Sequence, residues 1–186
     1  MQNKTRKILL TAIFIVLSCT HQPSDPIKFV SEEIKMSVDS GKVSIYAEYY
    51  FKNISNESKS ALIFYPFPID EYHYYPDSIL VFGLDYTKND SGVNLVMRFK
   101  PNRMETLQVF YNQKLKGNQA RYIITTTKNW KNPLKEARFI IDLPDNFNNP
   151  QFSYKPDSII RNSNRVLYYL CKRNFMPKKD LIVGWK

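Results

Sequence analysis

Only two histidines occur in the 186-residue chain, and one of them lies in its densest polar run, Asp70-Glu71-Tyr72-His73-Tyr74-Tyr75-Pro76-Asp77. An imidazole among three carboxyl groups is the composition of an acid–base pair or of a metal site. The spacing does not match His-Glu-x-x-His, and one histidine falls short of the three protein ligands of a catalytic zinc. No metal and no cofactor is therefore expected, and the run reads as a polar loop. A hydrolase centred on His73 is the alternative that its composition supports. Nucleophilic catalysis finds no Gly-x-Ser-x-Gly, phosphate binding no Gly-x-x-x-x-Gly-Lys or Gly-x-Gly-x-x-Gly, and nothing nominates a pair of glycosidase carboxylates. The expectation is a non-catalytic protein. The same loop offers Tyr72, Tyr74 and Tyr75, and Trp130 stands in the polar stretch Lys128-Asn129-Trp130-Lys131-Asn132-Pro133. Flat aromatic faces in loops can meet a sugar ring or a peptide, so these four are the candidate ligand contacts of a polysaccharide- or peptidoglycan-binding module. With 13 Tyr and 12 Phe in the chain, most other aromatics must serve packing.

The N-terminus carries chemistry of another kind. Lys4, Arg6 and Lys7 precede the apolar run Ile8 to Leu17, which is too short to span a bilayer and is followed at once by polar residues. It reads as an export signal over residues 1–18. Its end, Val16-Leu17-Ser18-Cys19, resembles the lipobox of bacterial lipoproteins: an aliphatic residue, a tolerant position, a small residue, then cysteine. The resemblance implies cleavage before Cys19, acylation of its thiol and a stable membrane anchor, since two or more acyl chains together hold firmly. It also implies a place in the bacterial cell envelope, facing the periplasm or the exterior. Residues 19–30, with Pro23 and Pro26, then form the lipidated N-terminus and a tether. Acylation of Cys19 leaves Cys171 without an intramolecular mate, and Cys171 reads as a small buried residue in an apolar strand.

Charge follows from the same cut. The whole chain has a formal charge of +10, and loss of Lys4, Arg6 and Lys7 lowers it to +7. Export removes nucleic acid as a partner. The C-terminal Lys172, Arg173, Lys178, Lys179 and Lys186 could instead lie against anionic headgroups, or form a solvated face. The partners expected are the membrane through Cys19, and an envelope protein or glycan.

The elements that must position these residues alternate with period two. Ile34, Met36 and Val38 form one apolar face, and Val43, Ile45, Ala47, Tyr49 and Phe51 another; similar runs start at Val93, Leu107 and Ala137. No comparable stretch has helical spacing. Asp39-Ser40-Gly41-Lys42, Asn89-Asp90-Ser91-Gly92 and Lys116-Gly117-Asn118-Gln119 supply hairpin turns, and prolines such as Pro66, Pro101 and Pro144 punctuate strand ends. Residues 31–186 are thus expected to be one all-β domain, an antiparallel two-sheet β-sandwich of about ten short strands. Tyr74-Tyr75-Pro76-Asp77-Ser78-Ile79-Leu80 is echoed by Tyr154-Lys155-Pro156-Asp157-Ser158-Ile159-Ile160. Either a duplicated half-domain or shared turn chemistry accounts for it.

Tyr50-Phe51-Lys52-Asn53, a polar turn, and Leu62-Ile63-Phe64-Tyr65-Pro66-Phe67-Pro68 resemble the opening of the N-terminal domain of inter-alpha-trypsin inhibitor heavy chains. The likeness continues through Ser78 to Gly83 and Pro101 to Tyr111. Phe67 replaces a leucine of that pattern, Ser60 and Ala61 stand where an acidic residue is usual, and no von Willebrand-type domain follows. The resemblance implies an all-β sandwich of secreted or surface proteins and no catalytic residues. Lipobox and strand pattern together lead to the expectation of a lipid-anchored, structural or protein-binding envelope module.

Overall fold

Two long strands show the alternation most clearly. The computed structural model describes residues 25–186, in which β1 (Ile27–Asp39) and β2 (Lys42–Asn53) form a hairpin. At its turn Gly41 has φ +69°, a conformation in which a side chain would be strained. Every second residue of β2 from Val43 to Asn53 is buried. β1 changes phase: Ile27 and Phe29 are buried, and then Glu32, Ile34, Met36 and Val38. A bulge between Phe29 and Ser31 puts one extra residue into the strand and so turns both sets to the same side. The strand therefore begins within the stretch expected to be tether, because Ile27 and Phe29 have a core to reach.

The following strands are β3 (Lys59–Pro66), β4 (Ser78–Val81), β5 (Tyr86–Asn89), β6 (Gly92–Phe99), β7 (Met104–Lys114) and β8 (Gln119–Tyr122). A short 3-10 helix, Thr125–Trp130, comes next. The chain closes with β9 (Leu134–Pro144), β10 (Gln151–Phe152), β11 (Ser158–Arg161), β12 (Arg165–Phe175) and β13 (Leu181–Gly184). They assemble into a seven-stranded sheet of order β11-β12-β9-β1-β2-β7-β4 and two three-stranded sheets, β10-β13-β8 and β3-β6-β5. The all-β expectation holds, with thirteen strands among the described residues rather than about ten. Pairing is antiparallel except between β1 and β9, which run parallel from Ser31↔Glu136 to Ser37↔Asp142. Alternation looks the same in either direction, so it could not reveal this pair; the long path from β1 to β9 leaves room for a parallel return. Lys116 to Gln119 is likewise no hairpin, since β7 and β8 belong to different sheets.

The echoed heptapeptides have equivalent places. One leads into β4 and the other into β11, the two edge strands of the large sheet. The Asp77 N–H donates to the Asn112 carbonyl and the Asp157 N–H to the Tyr169 carbonyl, both at 2.8 Å. Each Pro-Asp-Ser turn thus docks an edge strand onto its inner neighbour, and the order β2-β7-β4 on one side of β1 mirrors β9-β12-β11 on the other.

One continuous core fills the interior. Aromatic rings join strands of different sheets: Phe51 meets Phe99 at 5.8 Å, Tyr49 meets Tyr65 at 5.9 Å and Phe152 meets Tyr168 at 4.6 Å. Burying each such side chain contributes about 1.5–3 kcal/mol. Cys171 corrects the sequence reading: Val166, Tyr168 and Leu170 point inward along β12, so alternation turns Cys171 out, and its thiol is exposed. Among the described residues, no helix is long and apolar enough to cross a membrane.

Candidate functional site

The polar loop is built as structure. His73 is completely buried and forms an isolated β-bridge with Leu115. Its Nδ1 lies 2.6 Å from Asp70 Oδ1, and its Nε2 accepts the Arg121 backbone N–H at 3.0 Å. Nδ1 therefore carries the proton and both nitrogens are engaged. Burial lowers the His73 pKa against the opposing pull of Asp70. Burial also opposes ionisation of Asp70, but hydrogen bonds from His73 and the Tyr72 N–H, with the Arg121 charge, hold its pKa below the ordinary value. Arg121 bridges Asp70, at 3.1 Å, to Asp180, at 2.9 Å. Asp180 in turn accepts the N–H groups of Ile124 and Thr125 and the Thr125 hydroxyl, so it caps the 3-10 helix. Among the described residues, no group of His, Cys, Asp and Glu is arranged to hold a metal ion.

The four aromatic candidates do not converge. Tyr72 and Tyr74 are exposed beside Lys116, whose ammonium lies 4.7 Å from the Tyr74 ring centre. Tyr75 is half-buried against Phe67 and donates its hydroxyl to the Gly92 carbonyl. Leu115 and Lys116 tie this loop to Gly41 and Tyr72, at the hairpin end of β2. Trp130 packs on Phe51, nine residues further along β2, or about 30 Å away at strand rise. Cys19 lies outside the described residues. Of the C-terminal basic residues, Lys172 is paired with Asp157 and Lys179 sits over the Tyr154 ring.

Around Trp130 the structure assembles a site that the loop motifs did not indicate. A cavity of about 60 Å³ lies between β1, β2, β3, β8 and the 3-10 helix, with Phe29, Glu32, Phe51, Tyr65, Tyr122 and Trp130 in its wall. Glu32 is only 3% exposed, and its Oε1 has no hydrogen-bond partner among the described residues. It pairs across the sheet with Tyr49 on one side and Ala137 on the other. Burial pushes its pKa up from an ordinary 4.5 to about 8. The Tyr65 and Tyr122 hydroxyls are 3.2 Å apart, and that of Tyr122 also meets Tyr49. Burial, with the Glu32 charge added, pushes the Tyr65 and Tyr122 pKa values well above the ordinary range. Beside it, past the half-exposed Phe64, lies a recess of about 420 Å³ that shares Ile63, Phe64, Thr126 and Trp130 with it. One signal for Glu32 is present in the sequence: it lies in phase with Ile34, Met36 and Val38, a carboxyl on an apolar face.

No family model and no curated protein matches the chain. Solved structures share its fold. A candidate nutrient-binding protein from Legionella pneumophila superposes with a TM-score of 0.61 at 15% identity, covering 87% of this chain and 67% of that one. An M1 zinc metallopeptidase from Deinococcus radiodurans gives 0.55 at 8% identity, covering 86% of this chain. The chain spans 42% of that peptidase's length. At such identities the likeness is one of fold.

Proposed function

We propose that the chain is an exported, lipid-anchored, non-catalytic binding module of the bacterial envelope. Its domain is a β-sandwich, the seven-stranded sheet lying against the two smaller sheets. A small ligand occupies the aromatic-walled cavity at Glu32. The observation that carries the ligand-binding part of this reading is an unpartnered, buried carboxyl lining an aromatic-walled cavity that opens to the surface, where a few polar groups among aromatic side chains suit ligand binding. The engagement of both His73 nitrogens favours a non-catalytic role over a hydrolase centred on that residue. The separation of Trp130 from Tyr72 and Tyr74 favours the cavity over a glycan platform made from all four aromatics. The activities of the fold neighbours stay with those proteins.

Two measurements test the reading. Metabolic labelling with an alkynyl fatty acid is expected to mark the wild type and to fail on Cys19→Ala; equal labelling of both would refute the anchor. In a Trp185→Phe background, the fluorescence of Trp130 reports cavity occupancy against a library of small metabolites. A library in which no member alters it would refute the ligand site.

A further inference from the structure

Among the described residues, the cavity is lined by one acid and no base. Phe29, Phe51 and Trp130 touch one another, with centroids at 5.0 Å, 4.9 Å and 5.9 Å, and present aromatic surface to it. The Tyr65 and Tyr122 hydroxyls add acceptor oxygens, and among the described residues no lysine, arginine or histidine lines the space. Glu32 Oε1 is left unpartnered there, a standing cost to the folded state unless something from outside meets it.

We propose that the cavity takes the ammonium end of a primary amine, with Glu32 as its counter-ion. The inference rests on reading the cavity as a ligand site. Aromatic faces attract a cation through their quadrupoles, most strongly where water is excluded. A primary ammonium brings three N–H donors, one for Glu32 and two for the hydroxyl oxygens of Tyr65 and Tyr122. A quaternary ammonium has no such donors, and an alcohol has no charge. A volume of about 60 Å³ admits roughly two water-sized groups, hence the ammonium and the start of its alkyl stem, and the rest of the molecule lies past Phe64 and Trp130 in the neighbouring recess. The titratable groups facing Glu32 are Tyr49 from β2, Tyr65 from β3 and Tyr122 from β8, while β9 offers Ala137 and the 3-10 helix offers Thr126 and Thr127. Without a cation, burial keeps the Glu32 acid protonated near neutral pH. Binding therefore ionises it, and its proton leaves to solvent as the ion pair forms.

Isothermal titration calorimetry on the full-length protein in detergent tests this with n-butylammonium, n-butanol and tetramethylammonium. Butylammonium is expected to bind at least tenfold more tightly than either control and to tighten roughly tenfold per pH unit between 6 and 7.5. It should release close to one proton per site, read from heats in buffers of different ionisation enthalpy. Glu32→Gln, which keeps the side-chain shape, should abolish both the preference and the proton release, and Trp130→Ala should weaken binding by about fivefold. Butanol binding as tightly as butylammonium, or unchanged affinities in Glu32→Gln, would overturn the ammonium assignment while leaving the cavity a ligand site. Absence of heat with all three probes also overturns it, and the Trp130 fluorescence library then decides the wider reading separately.

Discussion

Glu32 ties the stability of the domain to pH in a direction opposite to that of an ordinary surface carboxylate. Its folded-state pKa is raised from 4.5 to about 8 by burial, so between those values the folded chain holds a proton that the unfolded chain has lost. The stability it contributes is complete below about pH 4.5 and declines as pH rises towards 8, above which both states are ionised. At about 1.4 kcal/mol per unit, the full swing is about 5 kcal/mol, a large fraction of the roughly 5–15 kcal/mol that holds a typical domain together. Glu32→Gln removes the titration and keeps the shape. Urea denaturation of both chains at pH 5.5 and 7.5 should show the wild type losing about 3 kcal/mol relative to the variant, or roughly 6–12 °C in Tm. His73 works in the other sense: its lowered pKa gives stability that is present above about 6.5 and lost as pH falls. Both chains carry His73, so it cancels in the difference. A wild-type minus variant gap that stays constant within about 0.5 kcal/mol across this range would refute the burial of an ionisable Glu32.

Three further outcomes follow from the packing. Gly92→Ala would place a Cβ 2.2 Å from the Tyr65 carbonyl oxygen, so β3 and β6 must part, and urea denaturation should show a loss of about 3 kcal/mol. Asp180→Ala strips the cap from the 3-10 helix and one partner from Arg121; a loss of about 2–3 kcal/mol and altered Trp130 emission are expected, and unchanged emission would separate the cap from the cavity. Cys171 should react with a maleimide in the native protein as readily as in the unfolded one, and strong protection would mean that the register of β12 is wrong.

Much of the fold was legible because a strand that faces a core on one side writes its alternation into the sequence. The β1–β2 hairpin, the strand of Val93 to Phe99 and, among the described residues, the absence of a long helix follow from spacing and turn residues. The phase change at the β1 bulge was not legible, since the pattern there breaks and resumes, so Ile27 and Phe29 looked like tether. The outward turn of Cys171 is not legible, because an apolar neighbourhood hides which parity faces inward. At the site, the sequence around Trp130 marks it as a candidate, whereas Glu32, beside Glu33, is marked only by its phase with an apolar face.

Composition and alternation determine an all-β chain, and the N-terminal pattern by itself supplies the expectation of export and acylation at Cys19. These are local properties, carried by neighbouring residues and a period of two. Strand partners, the parallel match of β1 with β9, the His73–Asp70–Arg121–Asp180 linkage and the enclosure of Glu32 by Phe29, Phe51, Tyr65, Tyr122 and Trp130 join residues up to about a hundred positions apart. Only the tertiary structure decides them, because a side chain's pKa and partners depend on what the fold packs against it and how much water it excludes.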